Sequence, residues 1–127
     1  MKALKDKNVR LPAPKKHVEW IGSSKKDLED FPDAVQHDIG FALMVAQFGG
    51  KHQDAKPWKG LGSGVMEIVS SYDTNTYRAI YTVNIGDVIY VLHAFQKKSK
   101  SGIGTPKEEI ALVEARYKRA VEISKKG

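Results

Sequence analysis

Three strand-like segments follow one another in the second half of the chain, and they constrain the fold more than any other feature. VMEIVSS (residues 65–71), TYRAIYTVN (76–84) and DVIYVLHAF (87–95) are rich in β-branched and aromatic residues. Residues 72–75 and the pair 85–86 separate them and have the composition of tight turns. Connections this short join neighbouring antiparallel strands, so the pattern predicts a three-stranded antiparallel meander.

Two helices are expected before the meander and one after it. Residues 23–32 offer Ser24 as an N-cap and end at a proline, which cannot continue a helix. Residues 33–48 repeat apolar residues every three or four positions and stop at a glycine pair. TPKEE, with Thr105 as N-cap, begins a final helix that reaches about residue 124. The whole pattern is that of an α+β fold.

The remaining segments are shorter or more polar. HVEWIG, residues 17–22, alternates apolar and polar side chains and predicts a first strand. Residues 51–64 are polar and rich in glycine and lysine, which predicts a long loop. Residues 1–15 are basic and poor in apolar groups, so we expect a flexible lead-in to a single domain that spans residues 16–124.

Composition narrows the functional classes. With 127 residues, 41% hydrophobic, the chain has enough apolar surface for one core. It contains no cysteine, which excludes disulfides, zinc ribbons and a thiol nucleophile. No long apolar run or secretory signal is visible, so we expect a soluble cytoplasmic protein without membrane contact. The net charge of +6 favours an anionic partner, although ordinary solubility also explains a charge of this size.

Familiar metal and nucleotide motifs are missing from the sequence. The four histidines, at positions 17, 37, 52 and 93, have no recognised ligand spacing. There is no phosphate loop, no dinucleotide-binding glycine fingerprint and no nucleophile elbow. The sequence therefore predicts neither a metal nor a cofactor.

Basic residues gather around the predicted sheet. Arg78 lies in the middle strand of the meander, Lys97 and Lys98 follow the third strand, and Lys56 and Lys59 lie in the loop before the first. Such cations can stabilise the charge that builds on a phosphoryl group during RNA cleavage, while a lysine, histidine or tyrosine moves the protons. Lysines that follow a strand can equally protect an exposed edge from aggregation. Both interpretations remain open at this point.

Three segments together resemble a known family. TYRAIYTV, then VIYVLHAFQKKSKSG, then TPKEEI before a basic helix, resemble the phage-derived branch of the RelE/HigB superfamily, the toxins of type II toxin–antitoxin modules. The resemblance covers residues 17–121. It implies a RelE/ParE-like fold with two N-terminal helices, an antiparallel sheet and a C-terminal helix. It also implies an mRNA endoribonuclease that acts at the ribosome without a metal, and a cognate antitoxin of helix-turn-helix type.

The resemblance also implies a site. It assigns contact with the scissile phosphate to Arg78, Lys97 and Lys98, and His93 is a candidate for proton transfer. Further RNA contacts are expected from three lysines, Lys56, Lys59 and Lys100. His93 has a second interpretation as a core histidine, since we expect it to share a strand face with Ile89, Val91 and Phe95.

Two departures from the family pattern favour other functions. Many relatives have an arginine where this chain has Val69, and the late catalytic tyrosine of some members is missing after the lysines. One alternative is therefore a non-enzymatic toxin, ParE-like or catalytically decayed, that inhibits its target by binding. Another is a basic RNA-binding accessory domain, whose affinity would fall steeply with salt.

Overall fold

A computed structural model describes residues 16–97 and 104–126, and in these ranges five strands form one sheet with helices on both faces. No helix in the described ranges combines the length and apolar character needed to cross a bilayer. The elements in chain order are β1 (His17–Trp20), α1 (Ser24–Glu29), α2 (Asp33–Gln47), β2 (Ala55–Pro57), β3 (Val65–Tyr72), β4 (Asn75–Thr82), β5 (Val88–Lys97) and α3 (Lys107–Lys126).

Three consecutive antiparallel strands, β3, β4 and β5, form the centre of the sheet. The turn between β3 and β4 consists of Asp73 and Thr74, which have φ angles of 50° and 66°. Positive φ at both central residues is the geometry that matches the twist of a two-residue hairpin. The predicted α+β class and these antiparallel pairings are therefore present in the structure.

The sheet as a whole is larger than predicted, and the expectation that it is antiparallel throughout is wrong. Its strand order is β1-β5-β4-β3-β2. β1 pairs in parallel with β5, from His17 opposite Val88 to Trp20 opposite Val91. β2 lies in the segment predicted to be a loop and pairs antiparallel with β3. An alternating pattern identifies a strand but not its neighbour, and a strand of three residues is too short to show one.

Each face of the sheet has its own core. On one face α2 packs against the central strands, with Ile39, Ile68 and Tyr81 among the fully buried side chains. On the other face α3 covers Ile80 and Leu92, which lie in a second cluster with α3 residues. Central strands that are buried on both faces contain nearly continuous apolar runs, as the sequence of β5 does.

The helix ends differ in detail from the predicted ones. α1 is shorter than expected, and its N-cap position is Ser23, whose hydroxyl donates to Asp27 Oδ2 over 2.7 Å. The expected cap, Ser24, is instead fully buried and donates to the Val91 carbonyl over 3.0 Å. A run of two serines offers two possible helix starts, and tertiary contact with β5 selects between them.

α2 buries only one of its apolar sides. Val35, Ile39 and Leu43 are at most 4% exposed. Phe41, Met44 and Phe48 lie on the opposite side and are 52%, 44% and 43% exposed. The second half of α2 is therefore apolar on both sides, as expected from its sequence, but the sheet covers only one of them.

The connection between β1 and α1 contains a glycine whose replacement should lower the stability of the protein. Gly22 has a φ of +56°, and a Cβ added there would lie 2.9 Å from the guanidinium of Arg116 in α3. Gly22→Ala is expected to lower the free energy of unfolding by about 1–2 kcal/mol, because alanine is strained at positive φ and displaces Arg116. Urea unfolding followed by circular dichroism measures this change.

Gly40→Ala is the matched control for that substitution. Gly40 lies inside α2 with nothing within 4 Å of an added Cβ. The same replacement there should raise stability by about 0.5–1 kcal/mol, since alanine is the better helix former. Equal effects at the two glycines would contradict the importance of the Gly22–Arg116 contact.

Candidate functional site

A cleft of about 380 Å³ opens where the four strands β2 to β5 meet the start of α3. It contains one carboxylate and four cationic side chains among its described lining residues. These residues are Lys56, Pro57, Trp58, Lys59, Glu67, Arg78, Lys97, Gly104, Thr105 and Ile110. The depression along α2, lined by Asp33, Gln36, His37, Gly40, Phe41 and Met44, has no lysine or arginine.

Strand register explains why side chains that are distant in sequence meet in this cleft. Lys56 is directly opposite Glu67, and Arg78 is directly opposite Phe95. Directly opposite residues share a face, and so do residues two apart in one strand, such as Phe95 and Lys97. The cations of β2, β4 and β5 therefore lie on the face that α3 covers, at the end beside its first turn.

An ion pair fixes the arginine of the cleft. Arg78 Nη1 donates to Glu67 Oε2 over 2.6 Å, and the two side chains are only 14% and 7% exposed. Lys56 Nζ approaches the other oxygen, Glu67 Oε1, at 3.8 Å but is 60% exposed. A short charge-assisted bond between two buried groups restricts both side chains, whereas an exposed lysine contributes little. Arg78 is therefore held in one position, and Lys56 stays free to move.

The charge of the cleft is strongly positive. Glu67 is the one carboxylate among its described lining residues, against Lys56, Lys59, Arg78 and Lys97. Lys59 and Lys97 make no ion pair within residues 16–97 and 104–126. Unpaired cations around a concave surface attract anions. The arrangement can bind a phosphate group, with Arg78 as the rigid contact and the lysines as mobile ones.

His93 does not line this cleft and instead lies under α3. A register shift between Ile80 and Tyr81 of β4 places it opposite Ile80. It shares the α3 side with Phe95, and their ring centroids are 4.9 Å apart. Ile89 and Val91 lie in the other core, so the expectation that His93 shares their face is wrong. The bulge, which no sequence pattern shows, reverses the alternation in β5.

Both ring nitrogens of His93 have partners from α3. Nε2 is 2.9 Å from Glu109 Oε1, and Nδ1 is 3.3 Å from Arg116 Nη1. A guanidinium can only donate, so Nδ1 accepts and Nε2–H donates to the carboxylate. With 5% exposure and both nitrogens occupied, His93 fits its second interpretation, a core histidine with satisfied hydrogen bonds.

Arg116 extends this contact into a clasp between α3, β5 and the start of α1. Its guanidinium also donates to the Leu92 carbonyl over 3.0 Å and to the Ser23 hydroxyl over 3.1 Å. Burial lowers the pKa of Arg116, and the negative charges of Asp27 and Glu109 act in the opposite direction. The clasp attaches α3, whose first turn forms one wall of the cleft.

The predicted site residues thus separate into three groups. Lys56, Lys59, Arg78 and Lys97 lie together in the cleft. His93 lies outside it, and Lys98 and Lys100 fall outside the described residues.

Two cleft residues, Glu67 and Trp58, were not predicted from the sequence. A signal for Glu67 exists, because a lone charge inside the apolar run VMEIV must find a partner when both faces of the strand are buried. For Trp58 the only signal is a large aromatic residue within a polar loop, which indicates an anchor without indicating its role.

Comparison with known proteins agrees with the resemblance seen in the sequence. The family model "Phage derived protein Gp49-like" matches residues 26–118. Among solved structures, the chain is similar to a chain of the toxin–antitoxin complex RelBE2 from Mycobacterium tuberculosis, at 16% identity and a TM-score of 0.45. That match covers 67% of this chain and 100% of the other. No curated protein matches the sequence.

The His93 contacts predict a stability defect that is separate from any effect on the cleft cations. His93→Ala leaves Glu109 without its donor and opens a cavity beside Phe95. The free energy of unfolding should therefore fall by roughly 2–4 kcal/mol. His17→Ala is the control, since that side chain is 66% exposed and its loss should change stability by less than about 0.5 kcal/mol. Chemical unfolding of both variants tests the difference, and a His93→Ala protein as stable as the control would refute the clasp.

Proposed function

This chain belongs to the Gp49-like family of phage-derived proteins, a RelE-like toxin family, and from that premise we propose that it is a toxin that cleaves mRNA. The observation that supports the proposal most is that Arg78 and three lysines line one cleft, with Glu67 as the one carboxylate among its described lining residues. RNA carries one negative charge per nucleotide, and a concave cationic surface binds its backbone without reading its sequence.

The reaction consistent with this cleft is attack by a 2′-hydroxyl on the adjacent phosphate. The 2′-oxygen loses its proton and forms a bond to phosphorus, while the bond to the 5′-oxygen breaks and that oxygen gains a proton. The products are a 2′,3′-cyclic phosphate and a free 5′-hydroxyl. Negative charge builds on the phosphoryl oxygens in between, and Arg78 and Lys97 are the cations that we assign to stabilise it.

Glu67 supports this role by holding Arg78. Because its Oε2 accepts from Arg78 Nη1, the remaining N–H groups of the guanidinium are left for a ligand. A guanidinium that is already positioned loses little freedom when phosphate binds, which is the advantage of a fixed donor over a mobile one. Glu67 is also the one carboxylate among the described lining residues, and we assign it as a candidate to accept the proton of the 2′-hydroxyl.

Two lysines that follow β5 complete the assignment. Lys98 comes directly after Lys97 in the chain, and Lys100 follows two residues later. The family resemblance gives Lys98 a contact with the scissile phosphate and Lys100 a contact with RNA. Lys56 and Lys59 are assigned to the RNA backbone beside the reacting phosphate.

The partners of such a toxin follow from its class. We assign it a cognate antitoxin, of the helix-turn-helix type common in this branch, and mRNA on the ribosome as its target. The similar chain from Mycobacterium tuberculosis comes from a toxin–antitoxin complex, which is consistent with this assignment.

A non-enzymatic toxin that acts by binding is the second candidate. Among the described residues that line the cleft there is no histidine, the side chain that most readily exchanges protons near neutral pH, and no tyrosine, which can also act as a general acid. Val69, which stands where many relatives have arginine, lies directly opposite Arg78. A cleft with one arginine and no such proton donor fits tight binding of RNA as well as its cleavage.

Induced expression in a bacterial host, followed by primer extension on abundant mRNAs, tests the proposal. The unaltered protein should arrest growth and produce new 5′ ends. Lys97→Ala should reduce cleavage by about 100-fold, as expected for the loss of one group that stabilises transition-state charge. Lys118→Ala is the control, because it removes the same charge from an exposed position on α3 that does not line the cleft.

Arg78 needs a different design, because removing it alone leaves the Glu67 carboxylate buried without its partner. The double variant Glu67→Gln/Arg78→Gln removes both charges and keeps two hydrogen-bonding side chains. It should fold and lose the new 5′ ends. Growth arrest without new ends in the unaltered protein would favour the binding toxin, and full cleavage by both cleft variants would refute the site.

A further inference from the structure

Trp58 occupies a fixed place in the wall of the cleft. It follows β2 directly, and its backbone N–H donates to the Val65 carbonyl over 2.8 Å. The residue is 7% exposed and belongs to the core cluster beneath α3, with Phe95 as a fellow member. Trp58 nevertheless also lines the cleft, beside the two lysines Lys56 and Lys59. Trp58 therefore belongs both to the core and to the wall of the cleft.

The indole nitrogen of Trp58 has no acceptor within the described residues. Trp58 Nε1 and Arg78 Nε are the buried side-chain atoms in these ranges that lack a hydrogen-bond partner. Both belong to residues that line the same cleft. A buried unpaired donor is unfavourable, and an indole N–H can neither accept a bond nor turn away as a hydroxyl can. Two such donors at one place indicate a site that an acceptor completes.

We propose that Trp58 is an RNA-binding residue, whose indole N–H donates a hydrogen bond to a phosphate oxygen of the RNA held in the cleft. The surrounding charge decides the kind of acceptor, because Lys56, Lys59 and Lys97 favour an anion over a neutral base edge. Phosphate oxygens are strong acceptors that carry this charge. The inference rests on the proposed function and adds an uncharged hydrogen-bond donor to the cations of the cleft.

The indole nitrogen of Trp58 is buried, so an acceptor reaches it only when neighbouring side chains move. Lys56 and Lys59 are exposed and adjacent in the cleft, and exposed side chains change rotamer within nanoseconds. Phosphate that draws the lysine ammonium groups towards itself would displace their stems from the cleft wall. An opening made in this way would let a phosphate oxygen reach the indole N–H.

The first test measures binding of a short, end-labelled RNA with 2′-fluoro groups, which cannot be cleaved because the attacking hydroxyl is absent. Trp58→Phe keeps an aromatic ring in the core but removes the N–H. Its affinity for this RNA should fall roughly tenfold, the effect of losing one hydrogen bond to a charged group. Trp20→Phe is the matched control, since Trp20 packs against the opposite core and does not line the cleft.

The second test observes the indole directly. Trp20 and Trp58 are the only tryptophans, so a ¹⁵N-labelled sample gives two indole N–H signals. The Trp58 signal should shift on addition of the 2′-fluoro RNA, and the Trp20 signal should stay in place. A backbone without bases, an abasic oligonucleotide, should cause the same shift. A shift that requires the bases would overturn the assignment to phosphate.

The outcomes separate this inference from the proposed function. If Trp58→Phe binds RNA like the unaltered protein, and the Trp58 indole signal of the unaltered protein does not move, while Lys97→Ala weakens binding, the role of Trp58 is wrong and the cleft stands. If the unaltered protein binds no RNA at all, the proposed function fails and the role of Trp58 fails with it. A variant that is merely less stable would lose binding only at temperatures where it unfolds.

Discussion

The pairing register of β3, β4 and β5 is the constraint on which the rest of the structure depends. A shift of one residue in any of these strands would move every side chain to the other face of the sheet. Here both faces are filled, by α2 on one side and α3 on the other, so such a shift would place charges in a core. Apolar packing thereby keeps Arg78 beside Glu67 and opposite Phe95. Side chains of the two cores therefore maintain the geometry of the polar cleft.

Much of this fold could be predicted from the sequence, because most of its elements are long enough to repeat a pattern. The periodicity of α2, α3 and the three central strands predicted their bounds to within a few residues. The parallel pairing of β1 with β5 was not, because periodicity is a property of one segment and pairing is a property of two. β2 was missed because it is too short: three residues contain less than two periods of any pattern.

In the site, too, the sequence predicted the residues whose role is visible locally and missed those whose role depends on other strands. Arg78 and the three lysines of the described cleft were predicted as one group because cations next to a strand are visible in the sequence, and the strand order brings them together. Glu67 was missed because its role comes from residues on two other strands, Lys56 and Arg78. His93 could not be placed correctly, because one register shift in the β4–β5 pairing changes the side of the sheet on which it lies. Burial and partners, and not residue type, separate a proton carrier from a structural histidine.

The parallel pairing of β1 with β5 has a consequence for how the chain acquires its shape. These strands are neighbours in the sheet although roughly seventy residues separate them in the chain, and closing so long a loop is slow compared with forming a hairpin. During synthesis neither edge of β1 is paired until β5 has left the ribosome, because β5 is its one neighbour in the sheet. The wall that α3 adds to the cleft arrives later still. A nascent chain therefore has an incomplete cleft until α3 has been translated.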